Sequence, residues 1–345
     1  MRGETAGMNI AVLLGGDSPE RDVSLASGAG IIRALRAGGH EVHAVDPALQ
    51  PGALAEPLAT KIGEQPLGEI AALAPDAVFA WLHSNEIRSA DVVFVALHGG
   101  KGEDGTIQAQ LEAACVAYTG SGILGSALAM NKDRSKALFR EAGVQTAPHL
   151  LLNASSERGR PEVREAIERT LRFPVVIKPN CQGSSVGFSF VPDSRSLDEA
   201  LALAACFGDD CIVERYIPGR EITAAVLDGS GALPLVEIIP EGGFYDYKRK
   251  YTKGTSRYVV PAELEVKVAS RIRREAMLAY EALVCRDYAR VDFRLSPEGE
   301  PFCLEVNTLP GMTGLSLVPM AAKAAGITFE ELVERISAMA LSRRK

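Results

Sequence analysis

Two segments near the C-terminal end, YARVDFRL and PFCLEVNT, constrain the fold more than any other stretch of the chain. Both are rich in apolar, β-branched and aromatic residues, and the five turn-forming residues SPEGE separate them. This pattern predicts an antiparallel β-hairpin. We expect Leu295 to face Phe302, and the same register places Asp292 opposite Glu305. Two carboxylates would then lie side by side on neighbouring strands.

The two faces of the predicted hairpin differ in polarity, because side chains alternate along a strand. The polar face is expected to carry Asp292, Glu305 and the opposed pair Arg290 and Asn307. The apolar face is expected to join the core with Val291, Phe293, Leu295, Phe302, Leu304 and Val306. Mg²⁺ prefers oxygen ligands, typically one or two carboxylates together with substrate phosphates. The polar face therefore indicates either a metal and nucleotide site or an ordinary solvated hairpin face.

Length and composition exclude several classes of protein. The 345 residues are too many for one typical core, so two or three domains are expected. With 47% hydrophobic and 23% charged residues, the chain is expected to be a soluble globular protein. The net charge of -7 disfavours a nucleic-acid surface, and no tract reaches the roughly 18 apolar residues that span a membrane. The opening MRGETAG lacks the layout of a signal peptide, so we expect the cytoplasm.

Strands and helices alternate along the N-terminal part. Apolar strands at 9–14, 41–45 and 91–97, with a helix from about Pro19 and Ser18 as its N-cap, predict a parallel Rossmann-like layer. The stretch after the first strand lacks G-x-G-x-x-G, which disfavours a dinucleotide. The second half is richer in strands, so the expected class is α/β (α+β). We expect three domains: a Rossmann-like one at 1–130, a central one at 131–220 and a C-terminal one at 221–345.

Three further segments carry candidate nucleotide contacts. In VVIKPNCQGSSVGFSF, Lys178 precedes a Gly/Ser loop between two strands, where short residues let backbone N–H groups approach phosphate oxygens. Lys132 lies in the helical segment NKDRSK. In CIVERYIPGREITA, the spacing of Glu214, Ile217 and Glu221 would suit an adenine amino group, its ring and a ribose hydroxyl. Taken singly, each segment has an equally good structural explanation. The first could be a plain hairpin loop, the second a helix with a surface lysine, and the third a strand-turn-strand unit.

Taken together, the motifs resemble those of the ATP-grasp enzymes, and within them the D-alanine–D-alanine ligase family, from Asn9 to the C-terminal end. The motifs that carry this resemblance follow the family's order: LLGGDSPERDVSL, ALHGGKGEDGTIQ, YTGSGILGSALAMNKDRSK, VIKPNCQGSSVG, IVERYIPGREIT, FYDYKRKY, ARVDF and LEVNTLPGMTGLSLVP. The resemblance implies an ATP-grasp fold, with ATP held between the antiparallel sheets of the central and C-terminal domains. It implies ligation of two D-alanines through an acylphosphate, for peptidoglycan precursor synthesis. It also implies ATP with two Mg²⁺ ions, for which Mn²⁺ could substitute, and a homodimer.

The resemblance also assigns roles to individual residues. The implied metal ligands are Asp292, Glu305 and Asn307. The implied nucleotide contacts are Lys132, Lys178, Ser185, Glu214, Ile217, Glu221 and Lys250. The implied catalytic residues are Glu20, which anchors the first ammonium, Ser184, Tyr251, and the oxyanion-stabilising Arg290 and Gly311. The implied substrate contacts are His98 for the first D-alanine and Ser316 and Leu317 for the second.

The segment FYDYKRKY resembles the family's loop that closes over the acylphosphate and excludes water. Its Tyr251 favours a dipeptide-forming enzyme over one that uses D-lactate. The phosphate loop departs from the family's usual residues at 181–183. Arg215 stands where the family often has Lys, and the two are not equivalent donors, so the sequence does not determine the affinity for the nucleotide. Two alternatives remain: another ATP-grasp carboxylate-amine ligase, including one for D-lactate or D-serine, and a nucleotide-binding protein without catalysis.

Overall fold

The computed structural model of the chain describes residues 7–49, 51–52, 54, 79–240, 256–314 and 316–343, and its strands form three sheets. In the first sheet, β1 (Asn9–Leu13) pairs in parallel with both β2 (Glu41–Val45) and β3 (Val92–Val95). β1 and β3 are apolar and buried, as is typical of a parallel sheet covered on both faces. The predicted parallel layer is confirmed.

The described residues of this N-terminal layer include four helices: α1 (Arg21–Ala37), α2 (Asn85–Arg88), α3 (Thr106–Ala113) and α4 (Ile123–Met130). The predicted start of the first helix is wrong by about two residues. Glu20, not Ser18, stands at the N-cap of α1. The hydroxyl of Ser18 instead donates to the carbonyl of His98 and accepts from the backbone N–H of Glu20 at 3.1 Å. The serine therefore ties the turn before α1 to the segment after β3.

The second sheet is antiparallel and has four strands. These are β4 (His149–Asn153), β5 (Val175–Pro179), β6 (Ser189–Val191) and β7 (Asp210–Arg215), with β7 and β5 in the middle. Helices α6 (Pro161–Thr170) and α7 (Leu197–Ala205) cover this sheet, whereas α5 (Lys132–Glu141), which precedes it in the chain, places Phe139 in a different apolar core. Apolar residues of α6 and α7 pack on Ile177 and Val213. Because side chains alternate, the neighbouring Lys178 and Glu214 point to the opposite face.

The third sheet has six strands in the part of the chain that the structure describes, and all of these pair antiparallel. They are β8 (Arg220–Leu227), β9 (Gly231–Ala232), β10 (Val236–Pro240), β11 (Ser256–Val259), β12 (Tyr288–Leu295) and β13 (Pro301–Asn307). The helices of this part are α8 (Val266–Ala282), α9 (Leu317–Ala324) and α10 (Phe329–Ser342). α8 covers one face of the sheet, where Ile272 packs with Val291 and Phe293.

α9 and α10 pack between the C-terminal sheet and the N-terminal layer. Leu332 and Ile336 of α10 share one apolar core with Ile10 and Val12 of β1, and Ala225 of β8 belongs to the same core. Within the described ranges, no helix is both long and apolar enough to cross a membrane. The N-terminal layer and the C-terminal sheet are therefore packed together through α9 and α10.

The β12–β13 hairpin has the predicted pairing at its polar end and a different one near its turn. Asp292 pairs with Glu305, as expected. The register then shifts, so that Phe293 pairs with Cys303 and Leu304 is the extra residue of an irregularity in β13.

The shift corrects two parts of the sequence prediction. Leu295 faces Pro301 rather than Phe302, which lies opposite Arg294. The extra residue reverses the alternation in β13, so Cys303 takes the buried position while Leu304 lines a cleft. Phe302 and Leu304 are therefore not on the core face.

Candidate active site

A cleft lies between the loop that follows β5 and the C-terminal sheet. Its walls come from α5, the loop, β8, β10, β12, β13 and the start of α9. The sequence-predicted site residues that line it are Lys132, Lys178, Ser185, Glu221, Arg290, Asp292, Glu305 and Leu317. The fold thus brings together at one place residues that are far apart in the sequence.

Asp292 accepts four hydrogen bonds on the polar face of the hairpin. Arg290 donates from Nε and Nη2 to the two carboxylate oxygens, both at 2.8 Å. Thr223 Oγ1 donates to Oδ1 at 2.7 Å, and Asn307 Nδ2 donates to Oδ2 at 3.0 Å. This network fixes the carboxylate at the edge of the cleft, and Thr223 is a member of it that the sequence did not predict.

The oxygen atoms of this hairpin fit a hard divalent cation. Asp292 and Glu305 are directly paired, and Asn307 lies two residues further along β13 on the same face. Within the described residues, no group of three or more His, Cys, Asp or Glu side chains could hold a metal ion by itself. An ion bound here would need additional oxygen ligands, and nucleotide phosphates are the usual source for Mg²⁺.

Lys132 enters the cleft from the first turn of α5. The side chain of Asn131 caps this helix by accepting from the backbone N–H of Arg134. The ammonium of Lys132 lies 3.5 Å from a carboxylate oxygen of Glu305 and donates to the carbonyl of Gln182. Burial lowers the pKa of Lys132, and the Glu305 carboxylate opposes that shift. The lysine thus links the hairpin to the phosphate loop.

Lys178 and Glu214 form a buried group with a lysine that the sequence analysis missed. Glu214 Oε2 lies 2.7 Å from Lys178 Nζ, and Oε1 lies 2.6 Å from Lys136 Nζ. Burial alone would raise the pKa of Glu214, but the two ammonium groups outweigh it and lower the pKa to about 2. The Glu214 carboxylate therefore lies beneath the cleft as a counter-ion. A signal for Lys136 exists in the sequence, since it follows Lys132 by one helical turn.

The loop after β5 has an unusual backbone that suits an anion. Ser184 and Ser185 have φ values of 47° and 60°, in the left-handed region that is uncommon for residues other than glycine. Gly183 is close to the N-terminal layer, since a Cβ atom there would lie 3.2 Å from Glu20 Oε2. The hydroxyl of Ser184 donates to Glu20 Oε1. The loop is thereby fastened to the carboxylate predicted to hold the first substrate.

Glu20 lies buried at the start of α1, where the positive end of the helix favours an anion. Gly99 makes room for it, because a Cβ atom at this position would lie 2.7 Å from Glu20 Oε2 and its φ is +69°. Close by, Glu103 Oε1 lies 4.0 Å from Nδ1 of His98. Burial, followed by the negative charge of Glu20, raises the pKa of Glu103 to about 8.

Glu103 belongs to the motif ALHGGKGEDGTIQ, but the resemblance assigns it no role. His98, which the resemblance predicts to contact the first substrate, is buried and has two hydrogen bonds. Its Nδ1 donates to the carbonyl of Leu309 at 2.8 Å, and its Nε2 lies 3.1 Å from Ser27 Oγ. Burial lowers the pKa of His98, so the ring is neutral at pH 7.

The segment after β13 carries Gly311, Ser316 and Leu317. Thr313 donates its backbone N–H to Ser316 Oγ at 2.9 Å, and the two hydroxyls are also 2.9 Å apart. Gly311 lies against the same serine, since a Cβ atom there would come within 2.8 Å of Ser316 Oγ. Ser316 is at the N-cap of α9, and Leu317 begins the helix and lines the cleft. The turn and the helix start therefore form one unit.

Glu221 and Ile217 lie at the turn from β7 into β8. Glu221 lines the cleft and accepts from Arg294 Nη1 at 2.8 Å. Ile217 is buried, and its carbonyl accepts from Arg294 Nε at 3.1 Å. The predicted Lys250 and Tyr251 lie outside the described residues.

Among the described residues, the cleft offers three cations, Lys132, Lys178 and Arg290, next to the oxygen donors Asp292 and Glu305. Such a set suits a polyphosphate with a divalent ion, because the cations balance phosphate charge and the carboxylates bind the ion. Glu20 and Ser184 adjoin this region and offer a place for an ammonium group.

Comparison with known proteins gives a consistent picture. Residues 9–121 match the family described as D-ala D-ala ligase N-terminus, and residues 138–338 match D-ala D-ala ligase C-terminus. A D-alanine–D-alanine ligase from an Anaeromyxobacter species is 43% identical over 338 residues, which is 97% of each chain.

Two solved structures have the same fold over nearly their whole length. The D-alanine–D-alanine ligase of Bacillus anthracis complexed with ATP has a TM-score of 0.77 at 32% identity, covering 99% of both chains. The VanG D-Ala:D-Ser ligase of Enterococcus faecalis has a TM-score of 0.76 at 29% identity, covering 97% of this chain and 100% of its own. The chain described here belongs to the D-alanine–D-alanine ligase family.

Proposed function

We propose that the chain joins two D-alanine molecules into D-alanyl-D-alanine, with ATP converted to ADP and phosphate, for peptidoglycan precursor synthesis. The observation that carries the proposal is the single cleft that combines phosphate-binding cations, paired carboxylates and the adjoining Glu20–Ser184 pair. A nucleotide-binding protein without catalysis would not need Arg290 and Glu20 beside its phosphate site. Family membership supports the same activity.

The nucleotide would bind between the second and third sheets. Lys132, Lys178 and the backbone N–H groups around Ser185 would hold its phosphates. Glu221, on the wall of the cleft, would bind the ribose. Ile217 and Glu214 would lie nearest the adenine, with Glu214 acting through its neighbours because both of its oxygens already face lysines.

Asp292, Glu305 and Asn307 would hold Mg²⁺, as two ions when the nucleotide is present, and Mn²⁺ could replace it. The bound ion would neutralise phosphate charge, which is the chemistry that a phosphoryl transfer needs. In the same region Arg290 holds Asp292 in place with two hydrogen bonds. The residues of the chain thereby fix the geometry of the reacting phosphate.

The first D-alanine would bind with its ammonium group at Glu20 and its carboxylate towards the terminal phosphate. Attack of that carboxylate on the phosphate breaks the bond to ADP and produces an acylphosphate. The neutral ring of His98 would border this subsite. Ser184, which already donates to Glu20, would keep the ammonium-binding carboxylate oriented.

The second D-alanine would bind with its carboxylate at Ser316 and the start of α9, where the helix N-terminus favours an anion. Its amine, once deprotonated, attacks the acylphosphate carbon, and phosphate leaves. Arg290 and the backbone N–H of Gly311 would stabilise the negative oxygen that forms. Lys250 at the γ-phosphate and Tyr251 beside Glu20 complete the proposal, as the resemblance implies.

The test is release of ADP and phosphate from ATP with each of D-alanine, D-lactate, D-serine and L-alanine. D-Alanine alone should support turnover, and the product should be the dipeptide. If turnover needed D-serine or D-lactate as the second substrate, the chain would be a ligase of different specificity. If no amino acid stimulated ADP release, the ligase proposal would be wrong.

Three features of the whole protein complete the proposal: its oligomeric state, its location and its domain boundaries. We propose a homodimer in the cytoplasm, where ATP is available, supported by the resemblance to the family. We also propose domain boundaries near residues 130 and 220. The distribution of the sheets supports them, since each sheet lies within one of the three resulting ranges except that β8 begins at Arg220. Light scattering of the purified chain tests the dimer, and limited proteolysis tests the boundaries.

A further inference from the structure

Lys136 is a fully buried lysine whose partner, Glu214, lies beneath the cleft. Its ammonium lies 2.6 Å from Glu214 Oε1, and neither side chain is more than 1% exposed. The other oxygen of Glu214 lies 2.7 Å from Lys178 Nζ, which lines the cleft and is 15% exposed. The three side chains form a row from the interior to the cleft wall: Lys136, Glu214, Lys178.

The charges of this row do not cancel. Glu214 contributes one negative charge and the two lysines contribute two positive charges, so one positive charge remains. It is directed to the cleft, because Lys178 is the member of the row that lines it. Burial would raise the pKa of Glu214, but the lysines lower it to about 2, so the carboxylate stays ionised. The pKa of Lys178 is raised, because the Glu214 and Glu305 carboxylates outweigh its burial.

We propose that Lys136 is a positioning residue that neutralises Glu214 and thereby leaves the positive charge of Lys178 available to nucleotide phosphates. This inference rests on the proposed nucleotide function of the cleft. Without Lys136, Lys178 and Glu214 would form a neutral pair that attracts phosphate much less. Stability alone does not account for the lysine, because buried ion pairs are often no more stabilising than apolar side chains of the same size.

The position of Lys136 suits this role. It lies one turn after Lys132 on α5, so a single short helix supplies both the lysine that enters the cleft and the lysine beneath it. Its ammonium is also 3.4 Å from the carbonyl of Cys303 on β13. The helix, the central sheet and the C-terminal sheet are therefore joined at this buried charge.

The experiment measures the affinity of ADP and of adenosine by isothermal titration for wild type, Lys136→Met, Glu214→Gln and the double variant. Lys136→Met makes the row neutral, so ADP should bind about tenfold more weakly or worse, whereas adenosine, which lacks phosphates, should be unaffected. The double variant restores one net positive charge, so its ADP affinity relative to its own adenosine affinity should return to near the wild-type ratio. Lys267→Met, which removes an exposed lysine, is the matched control and should match wild type.

Wild-type ADP affinity in Lys136→Met would overturn the inference, as would a double variant that binds no better than Lys136→Met. An equal loss for adenosine and ADP would show a general structural effect and would also overturn it. If Lys136→Met does not fold, the double variant decides alone: a tenfold fall in its ADP-to-adenosine affinity ratio relative to wild type would contradict the charge argument. Failure of the wild type to bind ADP would contradict the proposed function itself.

Discussion

Asp292 has its two oxygens occupied by Arg290, Thr223 and Asn307, so its position depends on side chains from three strand segments. We expect Asp292→Asn to lower ADP release by about 100-fold or more, because an amide is a poor ligand for a divalent ion and a poor partner for Arg290. Asparagine has nearly the same size, so the circular dichroism spectrum and the melting temperature should change little. The measurement is the D-alanine-dependent rate at saturating ATP.

The matched control is Asp193→Asn, which changes a partly exposed aspartate paired with Arg195 outside the cleft. It should have the wild-type rate. Near-normal turnover in Asp292→Asn would contradict the metal assignment.

Glu103 gives a prediction about pH. In the folded chain its pKa is raised to about 8, whereas an ordinary glutamate has a value of 4.5. The unfolded chain therefore releases this proton first, and the free energy of unfolding falls as the pH rises from 4.5 to 8. The contribution of one such group is about 1.4 kcal/mol per pH unit within that window. In Glu103→Gln the free energy of unfolding should not show this fall between pH 4.5 and 8. Urea unfolding at several pH values measures it.

The control for the loss of one carboxylate is Glu330→Gln, on the exposed side of α10. It should retain the wild-type dependence between pH 4.5 and 8. The same dependence in Glu103→Gln would show that Glu103 is ionised in the folded chain, contrary to this prediction.

At the residue scale, the sequence was informative where a pattern is local. The pairing of Asp292 with Glu305 follows from hairpin alternation and is confirmed. Lys136 and Glu103 were missed because their importance arises from burial next to other charges, which depends on tertiary packing. The roles of the individual site residues remain predictions.

At the scale of elements, the irregularity in β13 separates two leucines that an uninterrupted hairpin would place on the same face. Leu295 is buried in the core beneath α8, whereas Leu304 lines the cleft. We expect Leu295→Ala to lower the free energy of unfolding by about 2–5 kcal/mol, as for other buried leucines. Leu304→Ala should cost about 1 kcal/mol or less, since the cleft already exposes part of this side chain, and should instead raise the KM for ATP.

The two variants are each other's control, because both remove the same atoms from one hairpin. Chemical denaturation gives the stabilities, and initial rates at varied ATP give the KM. Equal destabilisation by both variants would mean that Leu304 belongs to the core after all.

Strand and helix positions could largely be predicted, because apolar runs and capping residues are local signals. Two details could not be predicted from the sequence. Alternation along β13 gives no indication of where an extra residue interrupts it, so the face of Phe302 and Leu304 was predicted wrongly. The start of α1 was misplaced because Ser18, a good capping residue, bonds to His98 through a long-range contact instead.

At the scale of the whole molecule, the hydrogen bond from Ser184 to Glu20 joins the phosphate loop to the N-terminal layer. We expect Ser184→Ala to lower kcat/KM for D-alanine by about tenfold, because one hydrogen bond to a charged group is lost. ADP affinity should be unchanged, since the backbone N–H groups of the loop remain. Ser155→Ala, at an exposed serine outside the cleft, is the control.

The decisive measurement is the ratio of the two effects. Equal losses in D-alanine and ADP binding would indicate that the loop as a whole had been disturbed. Loss confined to D-alanine supports the assignment of Ser184 to the first substrate's subsite.

The family and its fold were predicted from the combined motifs, and the structural and sequence matches confirm both. Composition and periodicity alone indicated only an α/β chain with several domains. They could not indicate that α10 packs against α1 and β3, because contacts between the two ends of a chain leave no local pattern. The domain boundaries, the metal and the dimer remain predictions.

The shared core of β1 and α10 has a consequence for folding during synthesis. Ile10 and Val12 leave the ribosome long before their partners Leu332 and Ile336 are translated. The N-terminal layer cannot bury this surface until α10 has been made. A nascent chain therefore carries an apolar face that a chaperone can occupy until α10 arrives to cover it.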